Sequence, residues 1–174
     1  FYNVQNLIAN KTVERTSCVI SNLFSTVEAV TKTHCSINFE GPSAVSDTLT
    51  FKRLVSALPE GWKIIKKFVL VTSIGTGDSK SAPPQNVYDA LEPVLIEKEK
   101  AEEHLKKIAK EKGIDFVIVR PGGLKSEPRT NTAVLTENTN VCGAIHREDV
   151  AALTMMCVLK DKANGKTLSA VDKA

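Results

Sequence analysis

FVLVTSIGTGDS, residues 68–79, is the stretch that decides the fold. Its first four residues are continuously apolar, and small and polar residues follow at once. A short run with no polar alternation, bounded by turn chemistry, predicts a strand buried on both faces, as in a parallel sheet. A second segment repeats the pattern. DFVIV, 115–119, runs into Arg120-Pro121-Gly122-Gly123. Between them lies a long periodic stretch, about Val87 to Lys112, which predicts a helix ended by Gly113. Strand, helix, strand is the unit of a parallel sheet.

Working outward, Cys18 to Leu23 predicts another buried strand, and residues 25–40 stay ambiguous. A helix is predicted from Gly41 to Leu58, stopped by Pro59-Glu60-Gly61. Residues 124–138 read as a polar loop. A short strand near Val141 to Ile145, a helix from Arg147 to Leu159 and a last strand near Thr167 to Val171 complete the chain. The expected fold class is α/β, a Rossmann-like three-layer domain with a mainly parallel sheet. Residues 1–174 are expected to form a single domain, with 1–40 poorly assigned.

The 174 residues include 23 Lys+Arg and 20 Asp+Glu, and 42% are hydrophobic. That composition excludes a wholly disordered chain. A formal charge of +3, evenly spread, gives no basis for a nucleic-acid partner. No apolar run approaches the ~20 residues that span a bilayer. Cys18, Cys35, Cys142 and Cys157 form no CxxC pair, which predicts reduced thiols in a reducing compartment. The three histidines, His34, His104 and His146, have no metal-ligand spacing, so no metal is expected. The chain starts at Phe1, which fits a removed targeting segment or a piece of a longer product.

In an open α/β sheet, ligands bind beyond the carboxyl ends of the strands. Those ends are Asn22 and Leu23, Thr72 and Ser73, and Pro121 to Leu124. Gly122 and Gly123 would let a ligand approach the backbone, although ordinary turns need the same residue types. The long helix carries an apolar stripe of Leu91, Val94, Leu95, Ala101, Leu105, Ile108 and Ala109. Lys98 falls on that stripe, seven residues from both Leu91 and Leu105. Burying an ammonium without a partner is costly, so Lys98 either reaches past the stripe edge to water or serves a site. Glu102 with Lys106 and Glu103 with Lys107 have the favourable i,i+4 order and read as the solvated face.

Several segments together carry a resemblance: 68–79, VYDALEPVLIEKEKAEEHLK (87–106), GIDFVIVRPGGLKSEP (113–128), GAIHREDVAAL (143–153) and GKTLSAVD (165–172). In that order they resemble an atypical short-chain dehydrogenase/reductase. The branch is the NAD(P)H-binding, flavin/biliverdin-reductase-like group, in plant-plastid and cyanobacterial form. The resemblance implies a Rossmann fold binding NADP(H) or NAD(H). It implies catalytic roles for Ser73 and Lys98, and nicotinamide-side contacts from Thr72, Ser73, Lys98 and Pro121 to Leu124. Asn22 and Leu23 match the strand end on the adenosine side. Two departures stand out. Val94 occupies the position, four before Lys98, of the family's tyrosine. No G-x-x-G-x-x-G occurs in the sequence, so the family fold is expected to be N-terminally incomplete and cofactor binding weak or absent.

Two functions follow from this. One is an NAD(P)H-dependent oxidoreductase; the other is a non-catalytic Rossmann-like scaffold bound to other protein subunits. The expected location is the plastid stroma or the cytoplasm.

Overall fold

The computed structural model describes residues 16–21, 34–35 and 65–173. The six-stranded sheet runs in the order β2-β1-β3-β4-β8-β6. Its strands are β1 (Thr16–Ser21), β2 (His34–Cys35), β3 (Ile65–Val71), β4 (Asp115–Pro121), β6 (Ala133–Thr136) and β8 (Lys166–Asp172). All pairings are parallel except β6 with β8. The expected neighbours β1, β3 and β4 lie side by side in parallel, with Cys18 beside Phe68 and Phe68 beside Phe116. A separate two-stranded ribbon joins β5 (Gly123–Lys125) to β7 (Ala144–His146).

Helix α1 (Gln85–Lys112) connects β3 to β4, and α2 (Arg147–Leu159) precedes β8. Gly113 ends α1 in the left-handed conformation (φ 65°), with its N–H on the Ala109 carbonyl. Strand alternation assigns the two helices to opposite faces. Val69, Val71, Val117 and Val119 pack with Val150, Leu153, Cys157 and Val158 of α2. The intervening positions of β3 and β4 turn the other way, and Arg120 among them bonds Glu102 of α1. The result is the three-layer arrangement that the sequence predicts.

Three expectations are corrected. The stretch 124–138 is not a loop throughout, since it contains β5 and the edge strand β6. β6 is only four residues long and half-buried, too short and mixed to stand out in the sequence. β3 begins at Ile65, so Lys67 lies inside the strand and not before it. Lys67 is 2% exposed because its ammonium meets the carboxyl end of α2. It donates to the carbonyls of Cys157 (3.2 Å), Val158 (3.4 Å) and Lys160 (3.1 Å), and to Asp161 Oδ1 at 3.2 Å. Last, Glu102 is 2% exposed and not solvated, for the reason given below. The predicted helix 41–58 lies outside the described residues.

Candidate active site at the strand ends

The carboxyl ends of β3 and β4 are joined above the sheet. The N–H of Thr72 donates to the Val119 carbonyl and that of Ile74 to the Pro121 carbonyl, both at 2.9 Å. The two loops named in the sequence reading therefore form one unit. Thr72 and Pro121 are buried; Ser73, Gly122 and Leu124 are half-buried; Gly123 is exposed. The Ser73 hydroxyl donates to the Ile74 carbonyl at 3.0 Å. Asn22 and Leu23 lie outside the described residues.

The two glycines after Pro121 serve different needs. A Cβ on Gly122 would sit 2.2 Å from the Gly143 carbonyl oxygen, so glycine is required there by the protein's own backbone. A Cβ on Gly123 would meet only that same oxygen, at 3.8 Å, and the residue is open. Close approach by a ligand is thus available at Gly123.

Lys98 is buried at 8% exposure, on the α1 face that also buries Leu95, Ala101, Glu102, Leu105 and Ala109. That face is rotated from the expected stripe: Leu91 is 43% exposed and Glu102 lies inside. The reason is Arg120, the last polar side chain of β4. Its Nε and Nη2 donate to the two oxygens of Glu102 at 3.0 and 2.6 Å, a bidentate pair in which both side chains are 2% exposed. Thr72 Oγ1 donates to Glu102 Oε1 at 2.7 Å. Arg120 Nη1 also pairs with Asp78 and reaches Ser79 Oγ at 3.5 Å. Burial alone would weaken the guanidinium's hold on its proton. Glu102 and Asp78 more than offset that and hold it above its ordinary value. The Arg120 hydrogen bond in turn holds the Asp78 carboxyl below the usual carboxylate range. The sequence carried one signal for this network: an arginine inside an apolar strand, which needs a buried anion.

A second convergence was hidden by sequence distance. His146, Asp149 and Asp172 bring ligand atoms within 4.8 Å of one another. All four carboxylate oxygens already accept hydrogen bonds. Asp172 Oδ2 takes His146 Nδ1 (2.9 Å), and its Oδ1 takes the Thr130 hydroxyl (3.3 Å). Asp149 takes the N–H groups of Thr130 (2.9 Å) and Asn131 (3.3 Å). The cluster anchors the 129–131 loop to the first turn of α2.

A parallel sheet flanked by helices, with a glycine and a half-buried serine at adjoining strand ends and a buried lysine on the crossover helix, defines a Rossmann-type nucleotide-binding architecture. The chain matches the NAD(P)H-binding family model over residues 9–161 and belongs to that family. It is similar to an uncharacterized chloroplastic protein of Arabidopsis thaliana, 34% identical over 115 residues, 63% of this chain and 40% of that protein. Among solved structures it is similar to ChuY, an anaerobillin reductase from Escherichia coli O157:H7, with 26% identity and a TM-score of 0.62. That match covers 76% of this chain and 60% of that one. The oxidoreductase YlbE from Lactococcus lactis is similar at 27% identity and a TM-score of 0.60, covering 76% and 57%. The chain thus spans about two fifths of the plant relative and three fifths of the bacterial structures.

Proposed function

We propose that this chain forms the nicotinamide side of an NAD(P)H-dependent reductase. When bound, the cofactor supplies hydride. The observation that carries the reading is Lys98. It is a mid-helix ammonium at 8% exposure in a chain of the NAD(P)H-binding family, at the position that matches the family's lysine. Lys98 would orient the nicotinamide ribose by hydrogen bonding. Ser73 and the Pro121–Leu124 turn would hold the ring, with Gly123 giving access to the backbone. Val94 stands where the family's phenolic acid would be, so no side chain there donates a proton. A general acid typically contributes ~10²–10⁴-fold, so the proton comes from water, Ser73 or the substrate itself, and turnover is slow. The residues fit the nicotinamide end of the cofactor. They do not supply the pyrophosphate end, because no glycine-rich phosphate motif occurs among the 174 residues. The chloroplastic relative supports a plastid location.

The test is titration with NADPH and with reduced nicotinamide mononucleotide, followed by nicotinamide fluorescence, on the parent and on Lys98→Met. Both ligands should bind weakly and within about threefold of each other, since only the shared end is held. Lys98→Met should lose binding by about tenfold, as expected for one lost charge-assisted hydrogen bond. Micromolar NADPH binding, far tighter than the mononucleotide, would show that another segment contacts the phosphates. Failure of both ligands to bind would leave the scaffold reading in place of the enzyme.

A further inference from the structure

One feature of the loop between β3 and α1 favours its opening. Thr76 is wholly buried, and its hydroxyl has no hydrogen-bond partner among the described residues. An unsatisfied buried hydroxyl disfavours the closed loop, since opening returns it to water. Gly75 and Gly77 both take positive φ, 96° and 59°. Two devices oppose opening. Ser79, also wholly buried, accepts the Gly75 N–H at 3.0 Å and donates to the Thr76 carbonyl at 2.8 Å. Asp78 reaches inward to Arg120, which Glu102 already fixes from the other side. A Cβ on Gly77 would lie 3.0 Å from Arg120 Nη2, so the guanidinium also packs directly under the turn.

We propose that Arg120 and Asp78 are positioning residues. Their ion pair latches the Thr76–Ser79 turn, and through it fixes Ser73 against the Pro121–Gly123 turn. Arg120 suits this task because one planar group binds the helix with Nε and Nη2 and the loop with Nη1. Asp78 is the releasable half: its side chain is 66% exposed, whereas Arg120 and Glu102 are each 2% exposed. Removing Asp78 therefore frees the loop without leaving Arg120 unpaired. The importance of the latch for a cofactor rests on the function proposed above; the latch itself does not.

The experiment measures amide hydrogen exchange across residues 72–82, together with nicotinamide fluorescence, for the parent, Asp78→Ala, Asp78→Glu and Asp78→Ala/Thr76→Val. In Asp78→Ala the Gly75 and Ser79 amides should exchange about tenfold faster through local opening, with the thermal midpoint nearly unchanged. Asp78→Glu should restore most of the protection, because it keeps the charge. Thr76→Val should restore part of it by removing the unsatisfied hydroxyl. Bound NADPH should show less fluorescence enhancement per bound molecule in Asp78→Ala, its affinity changing less than the ring's immobilisation. Unchanged exchange in Asp78→Ala, or equal exchange in the alanine and glutamate variants, would overturn the latch. A parent that binds no NADPH would sink the proposed function, and the exchange data would still decide the latch.

Discussion

Replacing Lys67 by Met should destabilise the fold by about 3 kcal/mol, through the end of a helix that lies 90 residues away in sequence. The last carbonyls of any helix lack intrahelical partners. In α2 those of Cys157 and Val158 receive the Lys67 ammonium at 3.2 and 3.4 Å, and Lys160 beyond them at 3.1 Å. A cation at a partly buried helix carboxyl end contributes up to ~2 kcal/mol, and a hydrogen bond from a charged donor ~1.5–3 kcal/mol. These overlap, because one ammonium makes all the contacts, so their sum overestimates the loss. Methionine fills nearly the same space, so no large cavity adds to it. For a chain of this length, ~3 kcal/mol lowers the thermal midpoint by about 6–12 °C. The assay is thermal and urea unfolding of parent and Lys67→Met, with equal m-values confirming a common unfolded state. Asp161→Asn is the control: Asp161 is 74% exposed, and its loss should matter far less. A Lys67→Met midpoint within about a degree of the parent would refute the capping argument, because the carbonyls would then be satisfied without the lysine.

Gly122→Ala should be more harmful than Gly123→Ala, because only at Gly122 does a new Cβ fall 2.2 Å from backbone oxygen. The strained turn threatens the Gly122 bond to Ala170 and the Gly123 bond to Gly143, for a loss of about 2–4 kcal/mol by urea unfolding. Equal stability of the two variants would count against that reading. Acid sensitivity should come in part from Asp78 and Asp161, whose carboxyls are held below 3.8 chiefly by hydrogen bonds from Arg120 and Lys67. Depressed carboxylate values give stability that is present above the unfolded value and lost as pH falls through the folded one. The midpoint should therefore decline below about pH 4, and less steeply in Asp78→Asn/Asp161→Asn; parallel pH profiles would exclude both groups.

The sheet was legible because its strands are extreme. FVLV and DFVIV have no polar alternation, and Gly113 marks the end of α1 by the one conformation that glycine adopts cheaply. The bounds of α2 were legible from Arg147 to Leu159 for a similar reason, an apolar run opened by acids. What failed was the assumption that charges at helical i,i+4 spacing face water. Glu102 and Lys106 satisfy that spacing, yet Glu102 faces inward because its true partner, Arg120, comes from the next strand. Lys67 misled in the same way: its acceptors belong to an element 90 residues later. Local pattern reports the cost of burying a charge, but the partner that offsets the cost is a tertiary fact. Gly122 shows the converse. Its residue type was read correctly as permitting close approach, but the approaching group is the protein's own Gly143 carbonyl.

These corrections bear on what the strand-end face can do. Of the buried α1 side chains, two are ionisable, Lys98 and Glu102. Glu102 has both oxygens committed, one to Arg120 Nη2 and the other shared by Arg120 Nε and Thr72. A carboxylate whose two oxygens are both engaged in this way is poorly placed to exchange a proton with a bound molecule. Arg120 offsets one of the two carboxylate charges of Glu102 and Asp78, so the three groups carry one net negative charge, with Asp78 at the exposed rim. Acid–base chemistry by side chains is therefore not what this network offers. It offers rigidity: a planar cation on β4 ties α1 to the loop after β3 through Glu102 and Asp78. On the function proposed above, such a surface would hold a cofactor ring still while hydride moves, with the proton arriving from elsewhere. The same reasoning locates the sensitive positions. Substitutions at Glu102 or Arg120 should fail by unfolding, at ~3–5 kcal/mol for a broken buried pair, whereas those at Asp78 should leave a folded chain with a loosened turn, and those at Lys98, on the function proposed above, a folded chain that binds the cofactor more weakly.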